Sequence, residues 1–222
     1  MRRVLVILLL LVGALVPANA WADGSGQESF SASGLNTLQL GVDNGNLTVN
    51  AVDTTNTITI TNAWTDGIVA ATFQQSNGVL SGDISNPGGD VTVQLPPGLT
   101  LNLHASNGNI TVTGTPGALT VADDNGSVNI QSGGSSQVVN LSDSNGGIQL
   151  NGYTGGGTIG TSNGDVNVTV PGGNGAQLNV STSNGQIQVA GVTQSGAQVS
   201  TALRGGGSLF TIQTSNSNVT VQ

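Results

Sequence analysis

The chain has 222 residues, with 3 Lys and Arg against 11 Asp and Glu, 35 Gly, 6 Pro and no Cys. The absence of Cys excludes a disulfide framework, a zinc–thiolate site and a cysteine nucleophile, and the scarcity of basic residues excludes a nucleic-acid-binding face. Charged residues make up 6%, against about 25% in ordinary soluble domains, so the polar surface must be built from uncharged side chains.

Residues 1–22 read as a cleaved secretory signal peptide. Arg2 and Arg3 form a positive start, Val4 to Val16 is an apolar run, and Pro17 precedes the small-x-small sites Ala18-Asn19-Ala20 and Ala20-Trp21-Ala22. The run is shorter than the ~20 residues a spanning helix needs, and no later segment is apolar enough to cross a membrane. Cleavage leaves Arg204 as the only Arg, no Lys, and all 11 acidic residues. Residues 23–36 are expected to be a flexible N-terminal segment. A single domain follows over 37–222.

That domain is a repeat. A Ser/Asp-Asn-Gly tripeptide recurs with its Asn at Asn44, Asn77, Asn107, Asn125, Asn145, Asn163 and Asn184, and a degenerate copy ends the series at Asn216, where Ser217 replaces Gly. The central copies lie 18, 20, 18 and 21 residues apart, the outer ones 30 or more. Counting from the Asn, positions −4, +3 and +5 are aliphatic in seven copies, as in Val121, Val128 and Ile130 around Asn125. Position −6 adds a further apolar column that fails only at Gly157, and Asn77 fits in part. Alternation at period two on both sides of the Asn means strands with one buried face. The Asn-Gly step is expected to supply the positive φ of a tight turn. A Gly/Pro-rich second corner closes each unit.

Two architectures satisfy this pattern. A β-solenoid stacks units of 18–21 residues so that like positions lie about 4.8 Å apart. A β-meander instead makes each Asn-Gly a hairpin and closes into a sandwich. Sameness of residue at every offset favours the solenoid. Asn44, Asn107, Asn125, Asn145, Asn163, Asn184 and Asn216 would then form a ladder of amide hydrogen bonds.

Three stretches carry a resemblance to a known family: Leu38 to Val49, Val91 to Gly98 running into Ser106 to Val112, and Gly205-Gly206-Gly207 before Thr214-Ser215-Asn216. They resemble a bacterial putative-adhesin family of unknown function, related to autotransporter-adhesin head domains. The resemblance implies a right-handed β-helical fold from about Phe30 onward and no agreed catalytic residues. The bottom-up reading stands beside it, and an internal duplication supports it: Asp90 to Asn107, with Pro96, echoes Asp165 to Asn184, with Pro171.

Candidate chemistry is sparse. His104 is the only His, alternation points it outward, and no Gly-x-Ser-x-Gly elbow accompanies it. Asp123 and Asp143 share position −2 of successive copies, with Asp124 adjacent. Stacked, they could hold Ca²⁺ or serve as the paired carboxylates of a glycosidase. The blander reading is solvated turn carboxylates. Arg204 beside Gly205-Gly206-Gly207 lacks a P-loop pattern, which favours a spacer or cap loop. Trp64 and Tyr153 could present sugar-stacking faces. Core packing or capping for Trp64, and simple turn exposure for Tyr153, are the alternatives.

The expectation is an exported, secreted or periplasmic, non-enzymatic module of the cell envelope. It would present Thr/Asn/Gln strand faces to an envelope glycan or a surface protein, with self-association through its terminal coils as a further route to partners. The alternative is a carbohydrate-active enzyme or Ca²⁺-binding β-helix centred on Asp123, Asp124 and Asp143.

Overall fold

The computed structural model describes residues 19–21, 25–52, 54, 56–63, 69–85, 89–190, 192–195 and 198–222. The period-two alternation becomes 22 strands, with no helix among the described residues. The first eight are β1 (Asn19–Trp21), β2 (Ser25–Ser31), β3 (Thr37–Asn44), β4 (Leu47–Ala51), β5 (Thr57–Ala63), β6 (Val69–Ser76), β7 (Val79–Ser85) and β8 (Asp90–Leu95). The next eight are β9 (Thr100–Asn107), β10 (Ile110–Gly114), β11 (Leu119–Asp123), β12 (Val128–Ser132), β13 (Val139–Asp143), β14 (Ile148–Asn151), β15 (Gly157–Thr161) and β16 (Val166–Thr169). The last six are β17 (Ala176–Thr182), β18 (Gln186–Val189), β19 (Val192–Ser195), β20 (Gln198–Leu203), β21 (Ser208–Thr214) and β22 (Val219–Val221).

These strands form two mixed sheets of 11 strands each. In the central copies the strand before each Asn-Gly lies in the first sheet and the strand after it in the second. Successive copies run parallel and in register: Leu103 pairs with Val121 and Val121 with Leu141, while Val112 pairs with Ile130 and Ile130 with Leu150. The aliphatic columns of both sheets point inward and are buried, apart from the partly buried Val189, and they join one core cluster. At Gly157, where the −6 column lacks a side chain, an added Cβ would run into the Val139 carbonyl.

Spatial order departs from chain order at both ends. The first sheet runs β1-β6-β7-β3-β9-β11-β13-β15-β21-β17-β20, and the second runs β19-β18-β22-β16-β14-β12-β10-β4-β8-β5-β2. The pair β3/β4 is therefore clamped between β7/β8 and β9/β10. The pair β21/β22 is clamped between β15/β16 and β17/β18 in the same way. The chain jumps over one pair twice, from β8 to β9 and from β16 to β17. Those two jumps carry Pro96-Pro97-Gly98 and Pro171-Gly172-Gly173, the duplicated Pro segments of the sequence. The long outer spacings of the repeat arise here, because extra strands are made before the chain returns.

Antiparallel strands occupy the margins. β6 pairs antiparallel with β7 and β1, and β5 with β8 and β2. At the other end β20 and β19 run antiparallel to β17 and β18. Ser25–Ser31, inside the stretch expected to be flexible, is strand β2 along β5, its Phe30 ring packed on Phe73 with centroids 5.1 Å apart. The signal-peptide reading falls largely on residues outside those described, and β1 contains Ala20, the last residue of the first candidate cleavage site.

Arg204 secures the second jump. At φ +48 its guanidinium Nη1 donates to the carbonyls of Val170 (3.0 Å), Pro171 (3.3 Å) and Asn174 (3.4 Å). These bonds tie the side chain to the backbone of the jump, as a cap loop requires.

The clamped pair β21/β22 offers a test of this topology. Deleting residues 208–222 strips β15 and β17 of their shared neighbour and opens the core on both sides. Circular dichroism melting is expected to lose its single cooperative transition. A truncated chain that melts like the full one would show that the gap closes and the clamp contributes nothing.

Candidate functional site

The Ser/Asp-Asn-Gly corners line up into one edge of the stack. Their asparagines make an unbroken amide ladder. Each Nδ2 donates to the next Oδ1: Asn184 to Asn216 at 2.9 Å, Asn216 to Asn163 at 3.1 Å, and Asn163 to Asn145 at 3.1 Å. The ladder continues from Asn145 to Asn125 at 3.0 Å, Asn125 to Asn107 at 3.2 Å, and Asn107 to Asn44 at 3.1 Å. All six bonds point the same way. A second column, at +2, ties side chains to backbone. Asn109 N–H donates to Asn46 Oδ1, Ser127 N–H to Asn109 Oδ1, and Asn218 N–H to Asp165 Oδ1.

The corner glycines supply the expected positive φ at Gly45 (+121), Gly78 (+78) and Gly108 (+141), and do a different job at the later corners. Among the described non-glycine residues only Asn77, Ala190 and Arg204 have positive φ, and Asn77-Gly78 is the true hairpin, joining antiparallel β6 and β7. At the other copies the Asn-Gly step carries the chain between sheets. There Gly126, Gly146 and Gly164 are required because a Cβ would strike the carbonyl of the neighbouring corner glycine, at Gly108, Gly126 and Gly146 respectively. Ser217, the exception, is buried, and its Oγ accepts the Gly164 N–H at 2.7 Å.

Asp123 and Asp143 are direct cross-strand partners in β11 and β13. They are not solvated: Asp123 is 2% and Asp143 5% exposed. Each Oδ1 accepts the N–H of its own corner Asn, Asn125 at 3.2 Å and Asn145 at 2.9 Å, and each Oδ2 is buried with no hydrogen-bond partner. Burial pushes the Asp143 carboxyl up to about 6, reinforced by the charge of Asp123 and opposed by the N–H groups of Asn145 and Gly146. Asp123 is also raised, first by burial, against N–H bonds from Asn125 and Asp124. Asp124 is exposed, outside the buried pair. Among the described residues no three His, Cys, Asp or Glu side chains are placed to hold a metal ion.

The other candidates disperse. His104 is exposed, its Nδ1 3.2 Å from the Ala122 carbonyl. Tyr153 is 1% exposed, so its ring is core rather than an exposed turn or a sugar platform, and burial raises its hydroxyl pKa. Repeat offsets gave no warning of this, because Tyr153 sits in a second corner, outside the aligned columns. Trp64 lies outside the described residues. Sequence reading missed the buried Thr161, Thr182 and Thr214, which share the −2 column with the aspartates. The signal was there, since all three occupy that offset.

The fold is similar to that of a putative cell adhesion protein from Clostridium sporogenes, with a TM-score of 0.53 at 11% identity over 89% of this chain and 99% of that one. A putative adhesin from Bacteroides fragilis aligns with a TM-score of 0.48 at 9% identity, over 90% of this chain and 98% of the other. At these identities the likeness to the clostridial protein concerns the fold. No protein-family model and no curated protein matches the chain.

Two substitutions probe the corner edge. Asn145→Ala removes the ladder bonds on both sides and is expected to cost about 1–2 kcal/mol in urea unfolding; an unchanged midpoint would mean that water replaces the amides without loss. Gly146→Ala, which drives a methyl into the Gly126 carbonyl, is expected to cost more, about 2–3 kcal/mol. Equal stability of that variant and the parent would show that the corners have room to part.

Proposed function

We propose that the chain is an exported, non-enzymatic module of the bacterial cell envelope with an adhesin-like role. In this reading it is a right-handed β-solenoid that binds through rows of uncharged polar side chains. The observation that carries it is the parallel register of the second sheet. Register aligns Thr48, Thr111, Asn129, Gln149, Asn167 and Thr220, and each alternates along its strand with buried aliphatics. Parallel strands lie about 4.8 Å apart, so such a row repeats hydroxyl and amide groups at a spacing suited to hydrogen-bonding an extended glycan or a protein strand. The fold likeness to a putative cell adhesion protein is in keeping with this role, as is the lack, among the described residues, of a helix long and apolar enough to cross a membrane. Residues 1–22 supply the export signal, and the terminal strands offer edges for self-association.

The test is binding of the purified chain to envelope polysaccharide fractions and to intact cells, compared with the double variant Gln131→Lys, exposed two residues beyond Asn129 on β12, and Asn167→Lys, exposed in the row itself on the non-adjacent β16. Saturable binding is expected, weakened about tenfold in the variant, a loss of roughly 1.4 kcal/mol, with its melting temperature nearly unchanged. No saturable binding to any fraction would sink the adhesive role. Release of new reducing ends or unsaturated sugars, lost in Asp143→Asn, would replace it with the carbohydrate-active alternative. Edman sequencing of the exported protein is expected to start at Trp21 or Asp23.

A further inference from the structure

The column at −2 crosses the whole stack in the order Val42, Ala105, Asp123, Asp143, Thr161, Thr214, Thr182. Its three threonines are buried and each acts as a donor. Thr161 Oγ1 donates to the Gly146 carbonyl at 3.1 Å, while Thr214 and Thr182 donate to the Ser217 carbonyl at 3.2 and 3.0 Å. The position therefore faces the carbonyl oxygens of the corners and suits a side chain that brings a hydrogen. A carboxylate brings none. The orphaned Oδ2 atoms of Asp123 and Asp143 lie on this same side. A Cβ on Gly146 would sit 2.6 Å from Asp143 Oδ2 and collide with the Gly126 carbonyl oxygen. A Cβ on Gly126 would sit 2.8 Å from Asp123 Oδ2 and collide with the Gly108 carbonyl.

We propose that this carboxyl pair is a proton-binding site: Asp143 takes a proton from solvent onto Oδ2, becomes a donor like the threonines beside it, and tightens the corner stack in mild acid. The step is a simple protonation, in which one O–H bond forms and one negative charge is removed. The titratable and charged groups around the pair are few. Asp123 and Asp143 face each other, Asp124 adds negative charge from the adjoining corner, and His104 on β9 acts on Asp123 in the opposite sense. The flanking strands present Ala105 and Thr161, which carry no charge. Two carboxylates stacked in a buried column cannot both ionise cheaply, and the upward shift of Asp143 to about 6 has that direction. Because its folded-state pKa lies above the ordinary Asp range near 3.9, the contribution to stability is complete below that range and is lost as pH rises through about 6. This inference stands apart from the binding role, since it concerns stability alone.

The experiment uses the full chain. A carboxyl ¹³C NMR titration is expected to show Asp143 with a midpoint near 6, not in the ordinary Asp range near 3.9. Acid also relieves general repulsion among the other carboxylates, so melting is compared with Asp143→Thr and Asp143→Asn, which carry a permanent donor. At pH 7.5 both are expected to melt above the parent by about 3–6 °C, and the difference should vanish near pH 4. An ordinary midpoint, or variants that melt below the parent at pH 7.5, would overturn the proposal. If neither variant folds, the midpoint in the unaltered chain decides alone.

Discussion

Everything in this molecule depends on how closely neighbouring corners approach. Parallel strands set a spacing of about 4.8 Å, and the corners keep it while the chain turns from one sheet to the other. At that distance the backbone carbonyl of one corner occupies the space where the next would place a Cβ. Glycine at +1 is therefore a steric demand of the stack, apart from any demand on φ. The same spacing suits an amide reaching from one Asn to its copy. With all six ladder bonds aligned, each amide polarises the next, which strengthens the row beyond its separate pairs.

A stack of parallel strands has two open ends, and exposed strand edges invite pairing with other chains. Here the chain deals with both ends in the same way. It lays antiparallel strands on the margins and leaves a pair behind or brings one back, so that β3/β4 and β21/β22 sit inside the stack. Contacts that span 63 residues in Asn107–Asn44 and 53 in Asn216–Asn163 result. Such long-range pairing ties early and late segments into one cooperative unit, at the cost of slow loop closure during folding. Arg204 holds one of the two crossovers through backbone carbonyls.

The −2 column shows the stack accepting polar groups inside its wall where they can be satisfied. Threonine meets the condition at every pH, aspartate only when protonated. A protein with 3 Lys and Arg against 11 acidic residues has little cationic charge with which to neutralise a buried carboxylate, so protonation is the available remedy. The outward row of the second sheet follows another rule, built from uncharged Thr, Asn and Gln, and it is the surface on which the proposed adhesive role rests.

Much of this was legible in the sequence. Fixed offsets of Leu, Val and Ile around each Asn specified which residues are buried, because alternation and copy number leave one consistent face. The Asn column was legible for the same reason. Three things were decided only by tertiary structure. Residue spacing records how far the chain travels between copies but not which copy it returns beside, so the clamped pairs were hidden in the outer spacings and the duplicated Pro segments. Gly at the corners reads identically whether it serves φ or close approach, and only the neighbouring carbonyl tells the two apart. The offset of Asp123 and Asp143 located them next to each other, whereas their desolvation depended on how deeply the packed corners bury position −2, a property of the assembled stack and of no single copy.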